Sequence, residues 1–305
     1  MIVQEQSHDA LSDILTAIQA RAVCSISLVA GGDWAIQFPM PAQIKFNAVR
    51  RGACWLLVGG QEPALLSSGD CVVIAQSAFT LASGPSITPI PAREIFGENS
   101  MAAQIGEGDG FSILGGSVAV DKIDGLFLAQ ALPPTMVIRG GSAASISWLL
   151  SELDREWDSG APGARLLCND LLRIIFIQVL RSRIESGLLP ASGWFAGLGD
   201  PRIARALHAI HADPARSWTV EALARLAGQS RSAFAAEFRR RLDQAPMDYL
   251  TSWRMRLAAT HLRSTTLSIP QIASKLGYDS DSAFSARFRR VQGTSPAQYR
   301  RSHRL

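Results

Sequence analysis

With 305 residues, 47% hydrophobic and 18% charged, the chain is long enough for two domains with their own cores, and its composition excludes a disordered or fibrous protein. The net charge of +4 hides a split: residues 1–199 hold 12 Lys and Arg against 18 Asp and Glu, or −6, while residues 200–305 hold 18 against 8, or +10. Four cysteines without a CxxC spacing exclude a disulfide scaffold or zinc framework, and an apolar run of membrane length is lacking.

Residues 1–13 carry acidic residues and no basic run leading into an apolar core, unlike a signal peptide, so a cytoplasmic location without membrane association is expected. A helix-like segment over residues 7–20 comes first. The pattern then changes to period two with glycine punctuation, predicting strands over 23–29, 34–38, 44–49, 54–58, 64–66 and 71–75. Turns are expected at Gly31-Gly32, Arg51-Gly52, Gly59-Gly60 and Gly69-Asp70, with Asp70 a turn residue. Many short strands at close spacing argue for a small antiparallel β-barrel or jelly roll. Residues 147–158 and 164–184 read as helices. The second is apolar nearly all round, which requires burial in the domain or at a subunit interface. Residues 187–201, rich in glycine and proline, read as an interdomain linker.

The stretch 218–301 contains one pattern twice. Leu226, Ser232, Ala233, Phe234, Phe238, Arg239, Arg240, Pro246 and Tyr249 recur, each 50 residues on, as Leu276, Ser282, Ala283, Phe284, Phe288, Arg289, Arg290, Pro296 and Tyr299. Each copy reads as a helix, a Gly-containing turn and a second helix whose phenylalanines at i, i+4 face inward. That is the layout of a helix-turn-helix, whose second helix enters the major groove of DNA. Between the copies, residues 247–263 read as one helix of roughly 25 Å, a rigid spacer suited to holding two recognition helices about one DNA turn apart. The basic residues after 199 are arginines except Lys275, which suits bidentate contact with phosphate or guanine.

This stretch resembles the DNA-binding domain of the AraC family of bacterial transcription regulators. The resemblance rests on Gly277-Tyr278-Asp279-Ser280, Ala283-Phe284, Phe288-Arg289-Arg290 and residues 293–299. It implies a double helix-turn-helix reader of double-stranded promoter DNA, with RNA polymerase as a further partner if the protein activates. Lys45-Phe46-Asn47, Arg51-Gly52 and residues 65–75 resemble a cupin, and more closely the cupin-type sensor domain of one subgroup of that family. Helices after such a domain often pair subunits, so the resemblance implies a homodimer. The expected fold is therefore α+β: a cupin-like β-barrel domain over 1–145, a helical segment over 146–186, the linker, and an all-α DNA-binding domain over 202–305.

Candidate DNA contacts are Ser230, Arg231, Ser232, Ala235, Ala236, Arg239 and Arg240 in the first unit. In the second they are Ser280, Asp281, Ser282, Ser285, Ala286, Arg289 and Arg290. The paired arginines suit phosphates, and the small residues suit the groove floor. Asp281 reads equally as a base contact, accepting from cytosine N4, and as a first-turn acid stabilising the helix dipole. Metal-dependent cupins use histidines, yet none lies between His8 and His208. Asn47 and Phe79 stand where the resemblance would put ligands. Neither a metal centre nor a cofactor is expected, and an enzyme is not. The effector, a small molecule or a redox signal, is not legible; strand alternation suggests an apolar site about Phe46, Trp55 and Leu57. Cys24, near Arg21, is the redox candidate. A regulator is thus the reading, against a cupin enzyme carrying a DNA-binding module or an architectural DNA binder.

Overall fold

A computed structural model describes residues 9–17, 21–97, 102–119, 128–129, 132–140, 144–187 and 192–303. Residues 1–8, 18–20 and 188–191, covering the ends of the expected first helix and part of the expected linker, lie outside the described residues. The chain divides into two compact units, Ala20–Leu188 and a second that joins Met1–Gln19 to Leu189–Leu305.

The unit Ala20–Leu188 holds β1 (Arg21–Ala30), β2 (Ala35–Phe38), β3 (Ile44–Arg51), β4 (Ala53–Val58), β5 (Ala64–Ser67), β6 (Cys71–Ile74), β7 (Phe79–Ala82), β8 (Ile90–Pro91), β9 (Ala102–Ile105), β10 (Phe111–Ala119) and β11 (Thr135–Ile138). The first six match the predicted strands within a few residues. They form a six-stranded sheet in the order β11-β6-β3-β10-β1-β9 and a five-stranded sheet in the order β5-β4-β7-β2-β8. Of the expected barrel or two-sheet jelly roll, the strands take the two-sheet form: among the described residues no ladder joins the sheets, and the short edge strands β9 and β8 add in parallel, not antiparallel, to β1 and β2. One core fills the space between the sheets, with Leu28, Val49, Val72 and Ile113 from one and Ile36, Leu56, Leu66 and Leu81 from the other.

Helix α2 (Ala92–Phe96) follows β8, and α3 (Ala144–Ser159) and α4 (Ala164–Glu185) end the unit. On β10, a methyl added at Gly116 would lie 2.3 Å from Leu172 Cδ2 of α4, so the helix rests directly on the sheet. The larger sheet is thereby covered on both faces. Helix α4 is not apolar to one side only: Leu171, Leu172, Ile175, Phe176, Val179 and Leu180 are buried, while Leu166, Leu167 and Ile174 remain exposed. Asp70 is a buried structural anchor. Its carboxylate accepts from the Ser67 and Gly140 amides and pairs with Arg139. Burial alone would raise its pKa, but these donors outweigh burial and hold it below the usual carboxylate value.

The second unit is helical: α1 (Ala10–Ala17), α5 (Trp194–Leu198), α6 (Pro201–Ala212), α7 (Val220–Ala227), α8 (Arg231–Leu242), α9 (Pro246–Ser264), α10 (Ile269–Lys275), α11 (Asp281–Gln292) and α12 (Pro296–His303). Two expected boundaries shift. Helix α1, assigned from sequence to the sensor domain, packs on α6 and α9, burying Leu11, Ile14 and Leu15, and the Thr260 hydroxyl donates to Ala17 O at 2.7 Å. The expected linker contains α5, in which Trp194, Phe195 and Ala196 are buried; a methyl at Gly197 would press on Leu242 Cδ1 at 2.9 Å. Its two aromatic side chains fold it onto the core, where glycine and proline content had suggested a tether.

The internal repeat is a three-helix unit. Ile203, Ala206, Leu207 and Ile210 of α6 correspond to Met255, Ala258, Ala259 and Leu262 of α9, all fully buried or nearly so and 52 residues apart. Leu223, Ala224 and Ala227 of α7 correspond to Ile272 and Ala273 of α10 and to Leu276, which caps it, 49 apart, while Phe234 and Phe238 of α8 correspond to Phe284 and Phe288 of α11, 50 apart. The expected pairing of Leu226 with Leu276 is therefore wrong: Leu226 is 45% exposed and Leu276 is 1% exposed. Both first helices close through a left-handed glycine, Gly228 and Gly277, with Gln229 N–H donating to Ala224 O and Tyr278 N–H to Ala273 O. From that glycine to the next N-cap, Ser230 or Ser280, the second turn is one residue longer.

Candidate nucleic-acid interface

Each recognition helix begins at a serine cap. Ser230 accepts from the Ala233 amide at the head of α8, and Ser280 from the Ala283 amide at the head of α11. The first helices of the two units are capped too, α7 by Thr219 and α10 by a capping box of Ser268 and Gln271. Capping leaves Ser232 and Ser282 bonded to the cap hydroxyls, at 3.4 and 2.6 Å. Phe234, Phe238 and Leu242 anchor α8, and Phe284 and Phe288 anchor α11, each worth about 1.5–3 kcal/mol of burial. Anchored on that face, each helix turns the opposite one outward. Of the predicted DNA contacts, Ala235 and Ser285 are half-buried and the other twelve are exposed.

The two units are bound to each other. Arg254 of α9 donates to the carbonyls of Pro214, Ala215 and Arg216, and its guanidinium lies 5.5 Å from the Tyr278 ring centre. Gly277 abuts the same stretch, since a methyl there would lie 2.2 Å from Ala215 O. His211 of α6 sits under α9, stacked on Trp253 with ring centres 4.0 Å apart and 2.7 Å from the Tyr249 hydroxyl. Burial, with His208 nearby, pushes its pKa down to about 3, so it is neutral at pH 7. Its 3.7 Å approach to Asp13 is therefore a polar contact and not an ion pair.

The arginine ends differ in a way the repeat conceals. In α8, Arg240 donates to both oxygens of Glu237, and Arg241 bonds Glu237 and pairs with Asp200. The two guanidinium hydrogen bonds hold Glu237 at about 2. The position equivalent to Glu237 in α11 is Arg287, so that helix presents Arg287, Arg289 and Arg290. Among the described residues no carboxylate pairs with them. Arg287 was not among the predicted contacts, although the offset of 50 between these helices places it opposite Glu237. Asp281 is exposed in the first turn of α11, and the cap there is Ser280.

The suggested ligand residues are not brought together. Phe46 lies opposite Gly116 in register, on the face that α4 covers, and Trp55 and Leu57 alternate with the inward Cys54, Leu56 and Val58. With both faces of the larger sheet covered, an aromatic in the strand does not mark the inner face. A cavity of about 810 Å³ opens between the sheets instead, lined by Ser25, Lys45, Asn47, Phe79 and Gly115 among others. Cys24 is buried, and burial together with Cys168 pushes its thiol up to about 12, the opposite of thiolate activation. Among the described residues no group of three or more His, Cys, Asp or Glu is placed to hold a metal ion, and no helix is long and apolar enough to cross a membrane.

Comparison with known proteins agrees with this architecture. Residues 9–185 match a family model described as "Cupin", and residues 223–302 one described as "Helix-turn-helix domain". Two proteins, from Streptomyces lividans and Streptomyces antibioticus, each named "Putative AraC-like transcription regulator", are 40% identical over 275 residues. The match covers 88% of this chain and 90% and 91% of theirs. Among solved structures, the DNA-binding domain of AdpA in complex with a target DNA is 32% identical over 34% of this chain and 92% of that one, with a TM-score of 0.32. The chain belongs to the AraC family of DNA-binding transcription regulators, with a cupin-like N-terminal domain.

Proposed function

We propose that α8 and α11 enter successive major grooves on one side of a promoter duplex, with the serine-capped first turns at the bases and the arginine ends on phosphates. The observation that carries this reading is the pair of capped helices, each bare of bulky side chains outward and basic at its end, in the half of the chain with charge +10. The spacer α9 of 19 residues spans about 28 Å, close to one turn of DNA. Small side chains give weak direct readout, so Arg231 in the first unit and Asp281 in the second carry most of the base discrimination, with DNA shape supplying the rest. Site selection with Arg231→Ala and Asp281→Ala tests this. Each substitution is expected to relax preference in its own half of the site, and an unchanged preferred sequence in both would overturn it.

The protein acts in the cytoplasm as a homodimer paired through α3 and α4, which carry the exposed large apolar side chains Trp148, Leu166, Leu167 and Ile174. The N-terminal unit serves as a sensor and not as a catalyst, its inter-sheet cavity receiving a small-molecule effector.

A further inference from the structure

The cavity between the sheets has a polarity that the rest of its half of the chain lacks. Residues 1–199 carry a net −6, yet among the described residues the cavity is lined by Lys45 and Arg93 and by no acidic side chain. Lys45 is half-buried on β3, and among the described residues it has no ionic or hydrogen-bonding partner. Asn47, two residues on and so on the same face about 7 Å away, buries an amide nitrogen that makes no hydrogen bond. Ser25 is the extra residue at the β1 bulge between Cys24 and Ile26, which turns its side chain into the cavity; its hydroxyl is likewise buried and unpartnered.

Three donors with no acceptor, two of them buried, are costly unless something fills the site. Space is kept for it: β10 has glycine at 115, where a methyl would meet Asn47 Oδ1 at 3.0 Å. The remaining wall is apolar and aromatic. Phe38 stacks on Phe79 with ring centres 4.7 Å apart, and Phe96 lies beside it at 6.2 Å. A volume of about 810 Å³ falls within the roughly 300–1,000 Å³ of small-molecule sites.

We propose that this cavity binds an amphipathic monocarboxylate, its carboxylate held by Lys45, Asn47 and Ser25 and its apolar body lying along Phe38, Phe79 and Phe96. The proposal deepens, and rests on, the reading of the N-terminal unit as the sensor. Burial lowers the Lys45 pKa, and a carboxylate beside the ammonium restores its charged form.

The test is calorimetric titration of the full chain with decanoate and 2-naphthoate, each against its uncharged counterpart, decanol and 2-naphthol. At least one carboxylate is expected to bind about tenfold or more tightly than its neutral partner, the magnitude of a charge-assisted hydrogen bond; which one does so separates a chain-like from a ring-like body. Lys45→Met should abolish that preference, while Lys45→Arg keeps it. Asn47→Leu, expected to weaken the preference about threefold or more, serves if Lys45→Met does not fold. Equal binding of acid and neutral partner, a preference that survives Lys45→Met, or binding of none of the four compounds would overturn the proposal. A Lys45-dependent preference with no change in DNA affinity keeps the site and overturns only its sensing role.

Discussion

If both helix ends touched phosphate alike, removing one arginine from either would have the same effect. The structure leads to a different expectation, because Glu237 and Asp200 neutralise two of the three arginines in Arg239, Arg240 and Arg241, leaving about one net charge. Arg287, Arg289 and Arg290 keep all three. Each phosphate contact contributes about 0.9 to the slope of log affinity against log salt. Arg290→Ala should therefore lower the slope by about 0.9, so that binding falls about 3.5-fold less between 50 and 200 mM salt than in the parent. Arg240→Ala should lower it by less than half as much, and Glu237→Gln should raise it by about 0.9, since the guanidinium it holds is freed for DNA. The assay is fluorescence anisotropy with a labelled duplex over that salt range. Equal losses for Arg240→Ala and Arg290→Ala, together with no gain for Glu237→Gln, would refute the reasoning.

Other outcomes follow from packing and titration. Leu276→Ala should cost about 2–4 kcal/mol in urea unfolding and Leu226→Ala under about 0.5, because only the first empties a core; similar values would restore the uniform offset of 50. Gly277→Ala, with a φ of 74° and a methyl 2.2 Å from Ala215 O, should lower the melting temperature of the C-terminal transition and weaken DNA binding, and an unchanged transition would mean the two units are not pressed together there. The His211 pKa is depressed from 6.5 to about 3, so the unfolded chain binds the extra proton between those values and stability is lost as pH falls through that window. From pH 7 to pH 5 that amounts to about 2 kcal/mol, which His211→Gln should remove from the pH dependence of urea unfolding. Ile174→Asp with Leu167→Asp should yield a monomer by analytical ultracentrifugation, and a monomeric parent would remove the dimer reading.

The recognition helices were legible because Phe234, Phe238, Phe284 and Phe288 sit at a helical spacing and recur in register. The first six strands were legible because glycine pairs separate runs of alternating residues. Helix α9 was legible as a spacer, but α6 and its equivalence to α9 were not, since Ile203 to Ile210 and Met255 to Leu262 share a burial pattern but little residue identity, and their offset of 52 breaks the register. Leu226 misled because identity at one position outweighed a turn longer by one residue. The cavity escaped for a related reason: its marks are a lysine, an asparagine and a bulged serine, polar residues that in an isolated strand read as the solvent side. Glu237 could have been seen opposite Arg287, had differences between the copies been weighed along with matches.

The place of α1 bears on how the protein is made. Its Thr260 to Ala17 bond joins residues 243 apart in the chain, so the surface that receives α1 is synthesised last. At about 5–20 residues per second, α1 leaves the ribosome some ~12–50 seconds before α9. A helix of eight residues does not hold together alone, so during that interval Leu11, Ile14 and Leu15 have no folded surface of their own to join. The DNA-binding unit therefore completes its core only after the whole sensor has been translated, and a nascent chain stalled before residue 246 cannot close it.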